Sequence, residues 1–275
     1  LHKTTRLTLA GPAQRQARAA ADDLYGRDVH NKGFIGSSSV KVFNMNIAST
    51  GLNKSQCEAA GIHFDYVYVI PSDKVSIMPD AEPMHLKVIF EAPTGKILGV
   101  QAVGRGEVVK RVDVAAAMIT MNATIYDLKD LELCYSPMFS TAKDPLNHAA
   151  LVGINILNGD YKQIKVSEVR SLVEEGAFIM DVREKAEYER GHVKGSKNIP
   201  MSEFRNRLNE IPKNQPVYVH CRSGQRSYNV CKALGHLGYE HVHNISGSFL
   251  GISYFEYYLD QKLNREPIVT NYNFN

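Results

Sequence analysis

The stretch VYVHCRSGQRS, residues 217–227, decides the fold of the second half of the chain. Its first residues predict a short buried strand, and the polar turn after them leads into a helix that begins near Ser227. Cys221 stands at the carboxyl end of this strand, which is the end where open α/β sheets bind their ligands. The stretch therefore predicts an α/β domain with a site centred on Cys221.

The chemistry of this loop follows from its backbone and its charges. A thiol in this place faces the successive N–H groups of the turn and the positive end of the next helix, and both favour the thiolate over the thiol. Two arginines in the loop add positive charge. We predict that Cys221 is a nucleophile whose anionic adduct is bound by the other loop residues, namely Arg222, Ser223, Gly224, Gln225, Arg226 and Ser227.

The spacing within the loop separates two chemistries. Four residues lie between Cys221 and Arg226, whereas protein tyrosine phosphatases place one residue more between their cysteine and their arginine. The shorter cradle is tighter than the phosphate-binding one and better fits a single extra sulfur on the cysteine. Persulfide chemistry is therefore favoured, with phosphatase or arsenate chemistry and an inert buried cysteine as the alternatives.

The pattern around the loop predicts two domains. Short apolar strands at 177–180, 217–220 and 241–244 alternate with helices, which favours a parallel sheet covered on both faces. In the front half, four strands within 39–103 precede helices at 108–121 and 145–157, which predicts an α+β domain whose sheet is at least partly antiparallel. Further helices are expected at 12–25 and 202–209.

Composition limits the classes of partner. Among 275 residues, 32 Lys and Arg face 29 Asp and Glu without forming a basic stripe, so no nucleic-acid partner is expected. No apolar run approaches the roughly 18 residues of a membrane helix, so we expect no membrane partner and a cytoplasmic location. The cysteines at 57, 134, 221 and 231 lack metal-site spacing and predict free thiols, and no metal site is expected.

Four motifs in order resemble a single-domain rhodanese: DVRE at 181–184, YERGH at 188–192, GSKNIP at 195–200 and CRSGQRS at 221–227. The resemblance implies that Cys221 accepts sulfur from a sulfane-sulfur donor and passes it to a thiol or to cyanide. It also implies that the loop amides, with Arg222 and Arg226, stabilise the persulfide, and that Asp181 and Arg183 brace the loop.

The front half resembles the carboxyl-terminal interface domain of the coenzyme A–disulfide reductases and NADH-dependent persulfide reductases, within the pyridine nucleotide–disulfide oxidoreductase class. The motifs are CYSPMFSTAKDPLN at 134–147, GVQAVG at 99–104, GFIG at 33–36 and GPAQRQ at 11–16. The resemblance implies a homodimer in which Tyr135 reaches the flavin and the substrate sulfur of the partner subunit. It further implies that Lys143 binds coenzyme A and that Gln14 and Arg15 lie close to the substrate.

The two resemblances imply a longer parent protein. The chain starts at Leu1 and has no GxGxxG fingerprint after a strand, so we expect it to bind no cofactor alone, while FAD, NAD(P)H and coenzyme A belong to the parent. Ile77 and Met78 stand where that family has an aromatic pair. The expected divisions are a remnant helix of a flavin-binding domain at 1–32, the dimerisation domain at 33–158, the rhodanese domain at 159–262 and a surface tail at 263–275.

The leading functional hypothesis is a rhodanese-type sulfurtransferase attached to the dimerisation domain of a flavin-dependent reductase. In the parent, the flavin half would reduce the persulfide with NAD(P)H. The competing hypothesis is a dimerisation and docking module that has the shape of a rhodanese but no activity.

Overall fold

The computed structural model describes residues 7–29 and 33–274, and it divides the chain into two compact units. The first unit comprises Leu1–Val67 and Ser72–Gly153, and the second comprises Tyr68–Pro71 and Ile154–Asn275. Residues 1–6 and 30–32 of the expected remnant helix region lie outside the described residues. The predicted fold class, α+β followed by α/β with a parallel sheet, is confirmed.

The first unit is built on a five-stranded sheet in the order β1-β2-β5-β4-β3. Its pairs β1–β2, β2–β5 and β4–β5 are antiparallel. Successive side chains of a strand point to opposite faces, and Met84, Leu86 and Val88 of β4 are accordingly all fully buried on one face. The strands are β1 (Ser38–Val42), β2 (Met45–Gly51), β3 (Phe64–Val69), β4 (Met84–Glu91) and β5 (Ile97–Gly104).

The helices of the first unit mostly follow the strands, as expected for an α+β domain. They are α1 (Ala10–Leu24), α2 (Lys54–Ala59), α3 (Val108–Thr120), α4 (Ile125–Asp130) and α5 (Pro145–Leu157). At the start of α5, the Asp144 Oδ1 atom accepts a hydrogen bond of 3.0 Å from the Leu146 N–H and caps the helix. None of the residues of α1 is buried, so this helix has no core contact of its own.

Two local features of the first unit differ from the sequence pattern. The first of the four strands expected within 39–103 covers residues 39–49. The structure has a hairpin there, because Phe43 adopts a left-handed φ of 53° and reverses the chain between β1 and β2. The short helix α4 was not predicted. Its N-cap Thr124 accepts from the Asp127 N–H, and the Asp127 side chain accepts from Thr124 in return.

The second unit is a parallel sheet in the order β6-β10-β9-β7-β8. Neighbouring residues of β7 lie in different core clusters, Ile179 on one face and Met180 on the other, because the sheet is covered on both sides. The strands are β6 (Lys162–Ile164), β7 (Phe178–Asp181), β8 (Lys197–Asn198), β9 (Val217–His220) and β10 (Val242–Ile245).

The helices of the second unit alternate with these strands. They are α6 (Val169–Glu174), α7 (Lys185–Arg190), α8 (Gln225–His236) and α9 (Ser248–Leu263). The helix expected over 202–209 is wrong, since the chain forms two 3₁₀ turns there, Phe204–Asn206 and Leu208–Glu210. Across the described residues of both units, no helix combines the length and the apolar character that crossing a bilayer requires.

The carboxyl-terminal segment is packed and is not the surface tail that the sequence predicts. Ile268 and Val269 are only 4% and 2% exposed and join the core of the second unit. Val269 also forms an antiparallel bridge with Val193. The Tyr272 hydroxyl donates a hydrogen bond of 2.7 Å to Asp260 on α9, so the segment contributes to the stability of the α/β unit.

Candidate functional site

The Cys221 loop lies where the sequence predicts it, between β9 and α8. Cys221 is 1% exposed, and its Sγ atom accepts a hydrogen bond of 3.1 Å from the Gly224 N–H. Gly224 has a φ of 115°, a conformation that side chains rarely adopt, and this turns its N–H towards the sulfur. The loop therefore holds the thiol in a backbone cradle at the carboxyl edge of the sheet.

Hydroxyl groups complete the surroundings of the sulfur. The Ser227 Oγ lies 3.5 Å from Sγ, and the Ser248 Oγ lies 3.9 Å from it. Burial alone would raise the pKa of Cys221, but hydrogen bonds from the Ser227 hydroxyl and from the amides of Ser227, Gly224 and Ser223 outweigh it. The pKa of Cys221 therefore lies below that of an ordinary thiol.

The two loop arginines have different surroundings. Arg226 forms a bidentate ion pair with Glu187 of α7, with N···O distances of 2.6 and 2.8 Å. The hydrogen bond from Arg226 is the main reason that the pKa of Glu187 lies below its usual range. Arg222 is half-buried. The loop thus carries one arginine whose charge is balanced by a carboxylate and a second one, Arg222, beside it.

Gln225 is exposed at the start of α8, where its side-chain amide lies 3.5 Å from the Asn229 Oδ1. Its side chain points along the helix surface. Among the predicted loop residues, the Ser227 hydroxyl and the amides of Ser223, Gly224 and Ser227 meet at the Cys221 sulfur.

Asp181 and Arg183 form a buried ion pair at the end of β7. The Arg183 Nε lies 3.0 Å from each carboxylate oxygen of Asp181, and one Nη lies 2.6 Å from Oδ2. Arg183 also donates to the Gly191 carbonyl oxygen at 2.8 Å and stacks over the Phe249 ring at 4.0 Å. The Phe249 backbone also contacts the loop, since its N–H donates to the Cys221 carbonyl oxygen at 3.1 Å.

His192 and His220 both pack against neighbouring groups of the protein. His192 stacks on Tyr188, with the ring centroids 3.8 Å apart. His220 is fully buried, and that burial lowers its pKa, so the ring is neutral at neutral pH. Its Nδ1 lies 3.2 Å from the Cys221 carbonyl oxygen, and its Nε2 lies 3.7 Å from the Asp181 Oδ2.

The first turn of α9 also holds the loop, a feature that the sequence reading missed. The Phe249 and Leu250 N–H groups donate to the carbonyl oxygens of Cys221 and Arg222 at 3.1 and 3.0 Å. Ser248 accepts a hydrogen bond of 3.2 Å from the Cys221 N–H. Glu187, also missed, precedes the YERGH motif by one residue and could have been found there, whereas no sequence signal marks Ser248.

The other cysteines have different environments. Cys231 is buried in α8, and this burial raises its pKa strongly, so it stays a thiol. Burial likewise raises the pKa of Cys57, and Cys134 is exposed. Within residues 7–29 and 33–274, no group of three or more His, Cys, Asp or Glu side chains is placed to hold a metal ion.

The predicted flavin and coenzyme A residues lie on an anchored surface segment of the first unit. Tyr135 is 51% exposed and Lys143 is exposed. The segment is fixed from beneath by Arg111, which is 1% exposed and bonds the Ser140 Oγ at 3.1 Å and the Asp144 carboxylate at 3.1 Å. The part of the segment next to Lys143 is therefore anchored by a buried arginine, while the Tyr135 phenol and the Lys143 ammonium are exposed.

Gln14 and Arg15 both lie on α1 and are exposed. The Arg15 guanidinium stacks over the Phe34 ring at 4.8 Å and donates to the Gly33 carbonyl oxygen at 3.4 Å. These contacts tie α1 to the segment that leads into β1. Neither residue meets Tyr135 or Lys143 in a contact that the structure records.

Two known protein families match this chain, and their matches include both candidate sites. Residues 165–254 match the rhodanese-like domain, and residues 37–145 match the dimerisation domain of the pyridine nucleotide-disulphide oxidoreductases. Both resemblances predicted from the sequence are confirmed. The loop of Cys221 lies inside the first match, and Tyr135 and Lys143 lie inside the second.

Two solved structures match both parts of the chain, and a curated relative matches about half of it. The reduced CoADR-RHD of Bacillus anthracis is 40% identical with a TM-score of 0.85, and the match covers 90% of this chain and 44% of that one. The NAD-dependent persulfide reductase from A. fulgidus is 32% identical with a TM-score of 0.83 and the same coverage. The coenzyme A disulfide reductase of Staphylococcus epidermidis is 34% identical over 52% of this chain. That match covers 32% of the relative, so the chain spans about a third of the length of the curated relatives it matches.

Proposed function

Since the chain joins a pyridine nucleotide-disulphide oxidoreductase dimerisation domain to a rhodanese-like domain, we propose that it is a sulfurtransferase that carries sulfur as a persulfide on Cys221. The observation that carries this proposal is the convergence of the Gly224 N–H and the Ser227 hydroxyl on the buried Sγ. A thiolate held in this way is a nucleophile, and the same donors stabilise the anion after a second sulfur has been added.

The proposed reaction balances without any cofactor. The Cys221 thiolate attacks the outer sulfur of a sulfane donor such as thiosulfate, and a new S–S bond forms as the donor's S–S bond breaks. Sulfite leaves with the electron pair. A thiolate or cyanide then attacks the outer sulfur of the Cys221 persulfide, takes it, and returns Cys221 to the thiolate.

The residues around the sulfur have separate parts in this reaction. We assign the attraction of an anionic donor to Arg222, because the charge of Arg226 is balanced by Glu187. The α9 amides fix the carbonyl groups of the loop, so the loop N–H groups stay directed at Sγ. Asp181 and Arg183 support this arrangement through Phe249.

Sulfur transfer from thiosulfate to cyanide tests the proposal directly. Thiocyanate should form with the unmodified chain and disappear with Cys221→Ala. Cys134→Ala is the matched control, because it removes an exposed thiol outside the cradle and should leave the rate unchanged. The proposal fails if thiocyanate formation is the same with and without Cys221. Hydrolysis of an aryl phosphate in place of sulfur transfer would support the phosphatase alternative.

We also infer that the chain acts within a longer reductase that uses FAD, NAD(P)H and coenzyme A. The relatives include an NAD(P)H sulfur oxidoreductase described as CoA-dependent, and the exposed Tyr135 and Lys143 on their anchored segment suit contact with a thiolate and a phosphate. Coenzyme A carries both of these groups, a thiol and phosphates. In the longer protein, Lys143→Ala should raise the KM for a coenzyme A substrate with little change in kcat.

A docking role is the second candidate, and one observation favours it. Met138 and Phe139 are 59% and 64% exposed beside Tyr135 on the first unit, and such an apolar surface suits a second copy of the chain. Light scattering should then give the mass of a homodimer. A chain that dimerises but transfers no sulfur would support docking without catalysis.

A further inference from the structure

Ser248 has a backbone conformation that residues with a side chain rarely adopt. It is the first residue of α9, it is fully buried, and its φ is +49°, in the left-handed region that favours glycine. It follows Gly247, whose φ is +78°. A side chain held in such a conformation is strained, and strain of this kind is a reason to look for what the side chain contributes.

The hydroxyl of Ser248 lies at the centre of a small network. It accepts from the Cys221 N–H at 3.2 Å and lies 3.4 Å from the Ser227 Oγ, 3.9 Å from the Cys221 Sγ and 3.3 Å from the Ile245 carbonyl oxygen. A hydroxyl has one proton and two lone pairs. Its single proton can therefore be given to the Ile245 carbonyl, to Ser227 or to the sulfur, one at a time.

We propose that Ser248 is a positioning residue of the persulfide site, which holds the backbone of Cys221 through its N–H and turns its own proton towards the sulfur when the thiolate forms. This role rests on the sulfurtransferase function proposed above. When Cys221 is a thiol, the Ser248 proton bonds the Ile245 carbonyl, which is the nearer acceptor. When Sγ carries the charge, the charged acceptor is the stronger one, and the hydroxyl rotates towards it.

Ser227 acts on the sulfur in the same way as Ser248. Its hydroxyl lies 3.1 Å from the Gly224 carbonyl oxygen and 3.5 Å from Sγ, so it has the same choice between a neutral and a charged acceptor. The Ser248 Oγ, on α9, lies 3.4 Å from the Ser227 Oγ. The two hydroxyls together let the loop accept and lose the charge on sulfur without moving its backbone.

Two variants of Ser248 separate the hydroxyl from the backbone. Ser248→Ala removes the hydroxyl and keeps the strain, whereas Ser248→Gly removes both. Ser253→Ala is the matched control, because Ser253 is also a fully buried serine on α9 but accepts from the Asn273 N–H, away from the sulfur. Arg226 and Cys231, which interact electrostatically with Cys221, remain in all three variants. So do Arg222 and His220, the residues on either side of Cys221.

The readout is the pH midpoint of thiolate formation at Cys221. It is measured from the ultraviolet absorbance of the thiolate, after subtraction of the same titration on Cys221→Ala. Both Ser248 variants should raise the midpoint by about 0.5–1 pH unit. At pH values below the midpoint, the fraction of Cys221 present as thiolate should then fall roughly threefold to tenfold. Ser248→Gly should unfold at a higher temperature than Ser248→Ala, and Ser253→Ala should leave the midpoint unchanged.

An unchanged midpoint in Ser248→Gly overturns the proposal, and so does a shift in Ser248→Ala that Ser248→Gly abolishes, because the backbone and not the hydroxyl would then be responsible. If Ser248→Ala fails to fold, Ser248→Gly alone decides. Failure of the sulfurtransferase function is distinguishable: the original chain would form no thiocyanate from thiosulfate and cyanide, while the midpoint would still report on Ser248.

Discussion

Replacing Asp181 by asparagine should destabilise the α/β unit far more than its small change in shape suggests. The substitution keeps the size of the side chain and removes its charge, so the Arg183 guanidinium, which is 1% exposed, loses its buried counter-ion. Removing one partner of a buried ion pair costs about 3–5 kcal/mol, because the other charge stays buried without compensation.

The remaining contacts of Arg183 place the expected loss near the lower end of that range. Its hydrogen bond to the Gly191 carbonyl at 2.8 Å and its stacking on Phe249 at 4.0 Å do not depend on Asp181. An asparagine oxygen can still accept one of the hydrogen bonds. We therefore expect a loss of about 3 kcal/mol in the free energy of unfolding.

Hydrogen–deuterium exchange of peptides from β7, β9 and α8 measures this loss within the α/β unit without requiring the whole chain to unfold in one step. The matched control is Glu187→Gln, which makes the same carboxylate-to-amide change in a bidentate pair with Arg226. That pair is partly exposed, with side chains at 31% and 27% exposure, so its loss should be about 1 kcal/mol or less.

The comparison of the two variants decides whether burial sets the energy. A loss below about 1 kcal/mol in Asp181→Asn, or equal losses in both variants, would refute the reasoning, because the pair in β7 would then be stabilised no more than a surface pair. The rate of sulfur transfer gives a second comparison. Transfer per folded molecule should fall by a smaller factor than the equilibrium constant for folding, because the proposed support of the loop by Asp181 runs through Arg183 and Phe249.

Three further outcomes are expected. Because the pKa of Cys221 is lowered by its hydrogen bonds, the rate of persulfide loading should rise with pH and level off before the ordinary thiol pKa of about 8.5; a rate that still rises there contradicts the lowered pKa. Gly224→Ala should lower stability by about 1–2 kcal/mol and impair sulfur transfer, because φ is +115° while the space for a Cβ is open. Gly238→Ala has the same kind of backbone with φ +83° and should cost stability without affecting transfer. Deleting residues 264–275 should destabilise the α/β unit by about 3–6 kcal/mol, since two buried aliphatic side chains are lost at roughly 1.5–3 kcal/mol each, and faster hydrogen exchange in α9 would show it.

The sequence was most informative where the signal is local. The strand–cysteine–turn–helix order at 217–227 predicts the loop because apolar residues, a glycine turn and a helix start follow one another within a few residues. Pro145 and Asp144 mark the start of α5 for the same reason. The two-domain order and both family resemblances also came from short stretches of sequence.

Features that depend on distant residues were missed or wrong. The hairpin turn at Phe43 carries no glycine or proline, so its left-handed backbone leaves no trace in the sequence. The tail at 263–275 reads as polar surface, but Ile268 and Val269 are buried because Val193, far away in the chain, pairs with it. Burial of this kind is decided by tertiary packing.

The sequence by itself determined the class of each unit, the place of Cys221 and the spacing that favours a persulfide, because those properties belong to contiguous residues. Only the tertiary structure decided which groups surround the sulfur. Glu187 balances Arg226, and Ser248 reaches Cys221 from α9 across 27 positions of the chain. The physical reason is that hydrogen bonds and ion pairs act over a few ångströms in space, and the packing of α7 and α9 against the sheet determines which residues come within that reach.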